Sequence, residues 1–331
     1  MIAMHRLLIA HVDYVTDPES SPDPIGFLLD AFGRPGSLLL IGIGALVVLV
    51  VITSWARWRP AEEARTRFIE HIQGYRDYLP WILRLSVGLV LIGSGLSRVR
   101  FLPTMEADGL FALLLTGTGF LLLLGLAVRP AALVALGAYV VTFIFNPELV
   151  MMLDVAGALA AAAILGPGRP SLDDLLRAAF PRGPGARAAT ENFASSRYDD
   201  SVPLLVRLGL GGAFAASGIL DKLLIYDEAL AAVHRYELTS VVPVAPELWV
   251  LGAVVIETAL GAAIILGVLT RFSAVVGFAV LTLALFALPD DPVIAHVGLF
   301  GLSSVLVILG GGRWSLDRML LEPTGERLRA H

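Results

Sequence analysis

The stretch LWVLGAVVIETALGAAIILGVL, Leu248 to Leu269, holds one ionisable residue, Glu257, in an otherwise apolar run. A helix rising ~1.5 Å per residue needs about 20 such residues to cross a hydrocarbon core of ~30 Å. Helix is the conformation for a single apolar segment, because an unpaired strand would leave its amides unsatisfied in lipid. Working outward, eight further stretches read the same way, some of them short: roughly 37–54, 80–97, 109–128, 130–146, 150–167, 203–219, 272–288 and 293–310. The expected fold is an all-α membrane protein of about nine transmembrane helices.

Composition agrees. The chain is 56% hydrophobic and 16% charged, with a mean hydropathy of +0.79; soluble domains carry about 25% charged residues. With no cysteine, disulfide relays, thiolate metal sites and iron-sulfur clusters are excluded within this chain. The net charge of -5 gives no basic patch for nucleic acid. Residues 1–36 are polar and acidic with no leader-like apolar run before Ser37, so the 37–54 span is expected to remain as a membrane anchor.

Arginine and lysine set the expected orientation, since they concentrate in cytoplasmic loops. With nine spans, the loops 56–79 and 168–202, the C-terminal tail and the tight turns at Arg129 and Arg271 share one side. That side holds sixteen basic residues against six on the other. The N-terminus is therefore expected outside and the C-terminus in the cytoplasm.

A repeat organises the rest. Tyr75-Arg-Asp-Tyr-Leu-Pro80, then Arg84-Leu, Gly88 and Ser94-Gly95, returns as Tyr198-Asp-Asp-Ser-Val-Pro203, then Arg207-Leu, Gly211 and Ser217-Gly218. Gly125-x-x-x-Arg129 matches Gly267-x-x-x-Arg271, and Gly166-Pro-Gly-Arg-Pro-Ser-Leu-Asp173 matches Gly310-Gly-Gly-Arg-Trp-Ser-Leu-Asp317. Each unit holds an even number of spans, four, so the two share one orientation as parallel repeats. The expected organisation is an extracytoplasmic segment 1–36, a separate helix 37–54, four-helix units at 75–175 and 198–318, a linker at 176–197 and a cytoplasmic tail at 319–331. Tyr226 to Leu238 is expected as a short helix on the outer surface.

An Arg ahead of a Ser-Gly pair with a following Lys (Arg207, Ser217-Gly218, Lys222) opens a distinctive series. A mid-span Glu before Gly-x-x-x-Arg follows (Glu257, Gly267, Arg271), then a His opening the last span (His296) and the Gly-x-Gly-Arg-Trp-Ser-Leu-Asp ending. In this order the residues resemble the DoxX/DoxD family, well over 198–318 and less well over 75–175. The resemblance implies a prokaryotic membrane protein associated with oxidoreductase complexes, including quinone-coupled thiosulfate oxidation in the DoxD relatives. The first unit departs from the pattern. It has Val99, beside Arg98, where the second has Lys222, and Leu115 where the second has Glu257. Opposite His296 it has Asp154 or Met152, depending on which landmark anchors the alignment.

Glu257 is expected near the midplane, ~13 Å deep, where a carboxylate must be protonated or paired. It reads either as a proton-accepting or quinone-contacting group or as a neutral acid hydrogen-bonded between helices. His296, about one turn deep, is a second catalytic candidate, or else an interfacial histidine satisfied by Asp290, Asp291 or water. Asp221 and Lys222 read first as a solvated helix end with a snorkelling amine and second as part of a polar site with Glu257 and His296. Arg84 and Arg207, four residues inside their spans, read as anchors in reach of lipid phosphate, with a functional ion pair as the alternative; Asp154 is a further candidate.

No span offers paired histidines for haem, nor a Glu-x-x-His or His-x-x-x-His metal site. Three functions stand on this sequence. The first is a membrane oxidoreductase subunit with a lipoquinone or proton-handling site in the second repeat and a protein partner for electron entry. The second is a non-catalytic assembly subunit, and the third a small-solute transporter.

Overall fold

The computed structural model describes residues 21–34, 36–37, 42, 46, 50, 53, 62–179, 201–288 and 293–321. The expected first span, 37–54, falls almost wholly outside the described residues, as does most of the linker and tail. Helix α1 (Pro24–Gly33) starts at an Asp23 cap that accepts the Gly26 amide at 2.8 Å, satisfying an amide with no partner inside the helix. Next come α2 (Glu62–Gln73) and, after one 3₁₀ turn, α3 (Leu79–Leu96). A small antiparallel ladder of β1 (Val99–Arg100) and β2 (Leu102–Glu106) fills the connection to α4 (Gly109–Leu124). Helices α5 (Val128–Phe145), α6 (Leu153–Leu165) and α7 (Leu172–Ala179) follow.

The second stretch opens with α8 (Ser201–Ala216), which continues without a break into a π turn, Ser217–Leu224. Two short helices, α9 (Tyr226–Arg235) and α10 (Leu238–Val241), precede α11 (Pro246–Leu266). The chain continues through α12 (Thr270–Ala287), α13 (Val293–Leu309) and α14 (Leu316–Leu321). Helix α9 falls where a short helix was expected; α1 was not foreseen, because its apolar turn is embedded in polar sequence.

Among the described residues, six helical stretches are long and apolar enough to cross a membrane: Arg76–Leu96, Val128–Phe145, Pro147–Leu165, Ser201–Leu224, Pro246–Leu266 and Thr270–Ala287. Gly109–Leu124 and Val293–Leu309 are apolar but shorter, at 16 and 17 residues. The outward faces of the longer helices fit a lipid environment. Phe286 is 83% exposed and Phe145 78%, an arrangement that water would penalise and hydrocarbon does not. This is an all-α, multi-pass membrane protein.

The described residues fall into two compact bodies. One comprises Tyr75–Ala216 and the chain from Ala259 onward; the other comprises the segment up to Gly74 with Ser217–Thr258. These bodies cut across the units 75–175 and 198–318 expected from the sequence. In the larger body α3 and α13 are the enclosed helices, with Leu83, Val87, Leu91, Leu302, Val305 and Leu306 fully buried. Close approach depends on small residues, as is usual between membrane helices: a Cβ on Gly209 of α8 would lie 2.9 Å from the Gly157 Cα of α6.

In the smaller body, α1 is fastened to the α9–α11 region. Phe27 stacks on Tyr226 at 4.3 Å, Ser21 donates its amide to the Leu224 carbonyl at 2.9 Å, and Arg34 pairs with Glu247 at 3.0 Å.

Candidate functional site

Glu257 is the twelfth of the 21 residues of α11, the middle of a helix that carries no other charge after Glu247. In the smaller body its Oε2 lies 2.9 Å from the Lys222 Nζ, and both side chains are largely enclosed, 15% and 18% exposed. Lys222 also donates to the Ser217 Oγ at 2.9 Å, and Ser217 donates onward to the Asp221 Oδ2 at 3.1 Å. The result is one continuous polar chain: Glu257, Lys222, Ser217, Asp221. The approach of Lys222 to Glu257 is off hydrogen-bonding direction, so the buried Oε2 has an ionic neighbour but no hydrogen bond among the described residues. The Thr258 Oγ1, one residue on, is also buried without one.

This arrangement corrects the expectation that Asp221 and Lys222 mark a solvated helix end. Asp221 is 5% exposed, and both belong to a continuous 24-residue apolar helical stretch. The expected span ended at Ile219; the π turn carries the helix on to Leu224 and brings Lys222 against Glu257 of α11. Packing sets the distance. A Cβ on Gly218 would meet the Thr258 Oγ1 at 2.7 Å and the Glu257 Cβ at 3.2 Å, so Gly218 lets the two backbones approach where the ion pair forms.

His296 and Asp154 belong to the larger body. His296, the fourth residue of α13, is buried at 1% exposure; Asp290 and Asp291, its expected partners, lie outside the described residues. Asp154, also buried, turns its carboxylate toward α13, where a Cβ on Gly298 would stand 2.6 Å from its Oδ2.

Arg84 and Arg207 do not reach for lipid phosphate. They are 1% and 2% exposed, and the hydrogen bonds recorded for their guanidinium groups go to backbone carbonyls, with the Arg84 Nη1 left without one among the described residues. Arg207 donates to Ile264 O at 3.0 Å, Ile265 O at 2.6 Å, Gly311 O at 2.7 Å and Trp314 O at 3.1 Å. It thus ties the C-terminus of α11 to the Gly-rich ending of the chain, since the last carbonyls of a helix have no partner within it. Arg84 donates to Pro170 O at 2.6 Å and Pro80 O at 3.3 Å.

The two endings fold alike. Asp173 donates its amide to Gly125 O at 3.1 Å, and its carboxylate accepts the Ala127 amide. Asp317 donates to Gly267 O at 2.9 Å, and its carboxylate accepts from the Leu269 amide at 2.6 Å, the Thr270 amide at 2.7 Å and the Thr270 hydroxyl at 2.7 Å. Gly125 and Gly267 hold φ of 70° and 71°, the left-handed turn that glycine adopts without strain. Arg129 and Arg271 reach from these turns to carbonyls at the ends of α6 and α13. The two Gly-x-x-x-Arg turns and the two Ser-Leu-Asp endings therefore build the same clasp.

Ser217 and the capping aspartates stood in the motifs without an assigned role, and Thr258 was not singled out. The signal for Ser217 was its spacing, four and five residues before Asp221 and Lys222. Among the described residues no three His, Asp or Glu side chains gather as a metal site, and the chain has no cysteine.

The helices thus define a multi-pass integral membrane protein with a buried ion pair. The DoxX family model matches residues 202–290. That stretch contains Arg207, Ser217, Asp221, Lys222 and Glu257. Comparison with curated proteins and with solved structures gives no match.

Proposed function

We propose that this chain is the membrane subunit of a quinone-linked oxidoreductase assembly, and that Glu257 with Lys222 forms its lipoquinone- and proton-handling site. The observation that carries this reading is the ion pair itself, enclosed between helices otherwise built of apolar residues. A buried pair gives little net stability over apolar side chains of similar size, and ionisable groups inside a membrane mark functional sites by default. Quinone reduction takes up protons at the two carbonyl oxygens; a carboxylate can pass a proton there, and a lysine ammonium can donate a hydrogen bond to one of them. Electrons would enter from a protein partner, as the resemblance to DoxX/DoxD implies.

The same proposal takes 75–175 and 198–318 as parallel repeats, joined by a linker at 176–197. They follow the 37–54 helix and an outside segment 1–36, and precede a cytoplasmic tail at 319–331. The N-terminus lies outside. The matching clasps at Arg84 and Arg207, and at Asp173 and Asp317, support the repeat; the distribution of arginine supports the orientation.

Glu257→Gln tests the site. In the purified assembly it is expected to abolish quinone reduction while subunit composition stays intact. A second reading, a non-catalytic assembly subunit, draws on the Lys222–Glu257 attraction, which would serve as a clasp between helices. Under that reading Glu257→Gln disperses the assembly. The transporter reading is tested by labelled-solute uptake into vesicles containing this chain alone, which is expected to show none.

A further inference from the structure

We propose that Ser217 is the positioning residue of the Lys222–Glu257 pair, and that the π turn Ser217–Leu224 exists to let its one hydroxyl hold Asp221 and Lys222 together. This rests on the proposed function only for the use to which the pair is put; the geometry is tested separately.

In an α-helix of 3.6 residues per turn, the fifth residue along lies about 140° round the axis. Side chains that meet are three or four apart, so an α-helical Ser217 would face away from Lys222. A π turn closes its backbone ring from residue i to i+5 and stacks position 222 over position 217. The 2.9 Å bond from Lys222 Nζ to Ser217 Oγ is that i, i+5 contact. It holds the ammonium 2.9 Å from the Glu257 Oε2.

The direction of the chain is fixed by chemistry. A lysine ammonium only donates and an ionised carboxylate only accepts. The Ser217 hydroxyl must therefore accept from Lys222 and donate to Asp221, whose Oδ2 stands 3.1 Å away. π segments are rare and concentrate at functional sites, and this one contains both the lysine and the aspartate.

The protein supplies its own control. Ser94-Gly95 is the same dipeptide near the end of α3, which stops as an ordinary α-helix at Leu96. The Ser94 hydroxyl is fully buried with no hydrogen bond among the described residues. Five residues on stands Val99, in a strand. The serine is common to both stretches; the π turn and the engaged hydroxyl occur in one.

Lys222 is the only lysine in the chain, so reductive methylation with ¹³C-formaldehyde labels it and the terminal amine, which resonate apart. On the full-length protein in nanodiscs, Ser217→Ala is expected to raise the Lys222 methylation rate about tenfold, the order expected for losing one charge-assisted hydrogen bond. Ser217→Thr, which keeps the hydroxyl, is expected to hold the parental rate, and so is Ser94→Ala. Should Ser217→Ala fail to fold, Ser217→Cys, which weakens the hydrogen bond at similar size, is expected to give a smaller rise. A parental rate in Ser217→Ala or Ser217→Cys, or a Ser217→Thr rate as high as that of Ser217→Ala, would overturn the positioning role. Since the lysine itself is read, that result would leave the use of the pair to the Glu257→Gln quinone assay.

Discussion

Arg84 and Arg207 stand at matching places near the starts of α3 and α8, buried to the same degree and turned to the same kind of partner, the carbonyls of a Gly-rich ending. Further along the same helices the resemblance stops. Where α8 continues into a π turn with Asp221 and Lys222, α3 ends and gives way to a two-stranded connection; where α11 has Glu257, α4 has Leu115, fully buried. The contrast separates two kinds of buried polar group. The arginines and capping aspartates complete backbone that would otherwise lack partners, a structural need in any membrane helix hairpin. The Glu257–Lys222 pair completes nothing that an apolar pair does not complete in the first stretch, and that surplus is the argument for its use.

The largest expected effect comes from breaking the pair on one side. Lys222→Ala leaves a carboxylate enclosed without its cation, and the expected loss is about 3–5 kcal/mol of unfolding free energy, measured by denaturant titration in bicelles. Installing the first stretch's own residues on both sides, Lys222→Val with Glu257→Leu, is expected to restore stability to within about 1 kcal/mol of the parent or above it. A double variant as unstable as the single one would show that the pair is structural, and would remove the contrast. Next in size are the arginines. Arg207→Lys loses the fork that reaches four carbonyls, with an expected cost of about 3 kcal/mol, and Arg84→Lys about half that, in proportion to the charge-assisted bonds each makes. Equal costs would mean that the carbonyl bonds do not govern these positions. The smallest effect is expected at the caps: Asp317→Asn and Asp173→Asn should each cost about 1 kcal/mol, with Asp317 the more sensitive because its carboxylate also accepts the Thr270 hydroxyl.

Much of this was legible before any coordinates. Apolar runs bounded by arginine and glycine fixed α3 to α6, α8 and α11 to α13 to within a few residues, because a bilayer leaves the backbone so few alternatives. Glu257 stood out for the same reason. The burial of Arg84 and Arg207 was not legible, since their partners are backbone carbonyls brought in from 57 to 107 residues away, and carbonyls have no residue-type signature. The enclosure of Lys222 was not legible, because hydropathy sees where a span becomes polar, whereas the π turn decides which way its last residues face. Helix α1 escaped notice because ten residues with a polar approach give too weak a periodic signal.

The fastening of α1 has a consequence for synthesis. Ser21 bonds the carbonyl of Leu224 and the amide of Asp227, and Phe27 stacks on Tyr226, contacts that close across roughly two hundred positions. A ribosome adding ~5–20 residues per second leaves the early segment waiting about 10–40 seconds for its seat to emerge. During that interval Phe27 and its neighbours have no native surface to cover them, so the nascent protein depends on the lipid interface or a chaperone at that stage.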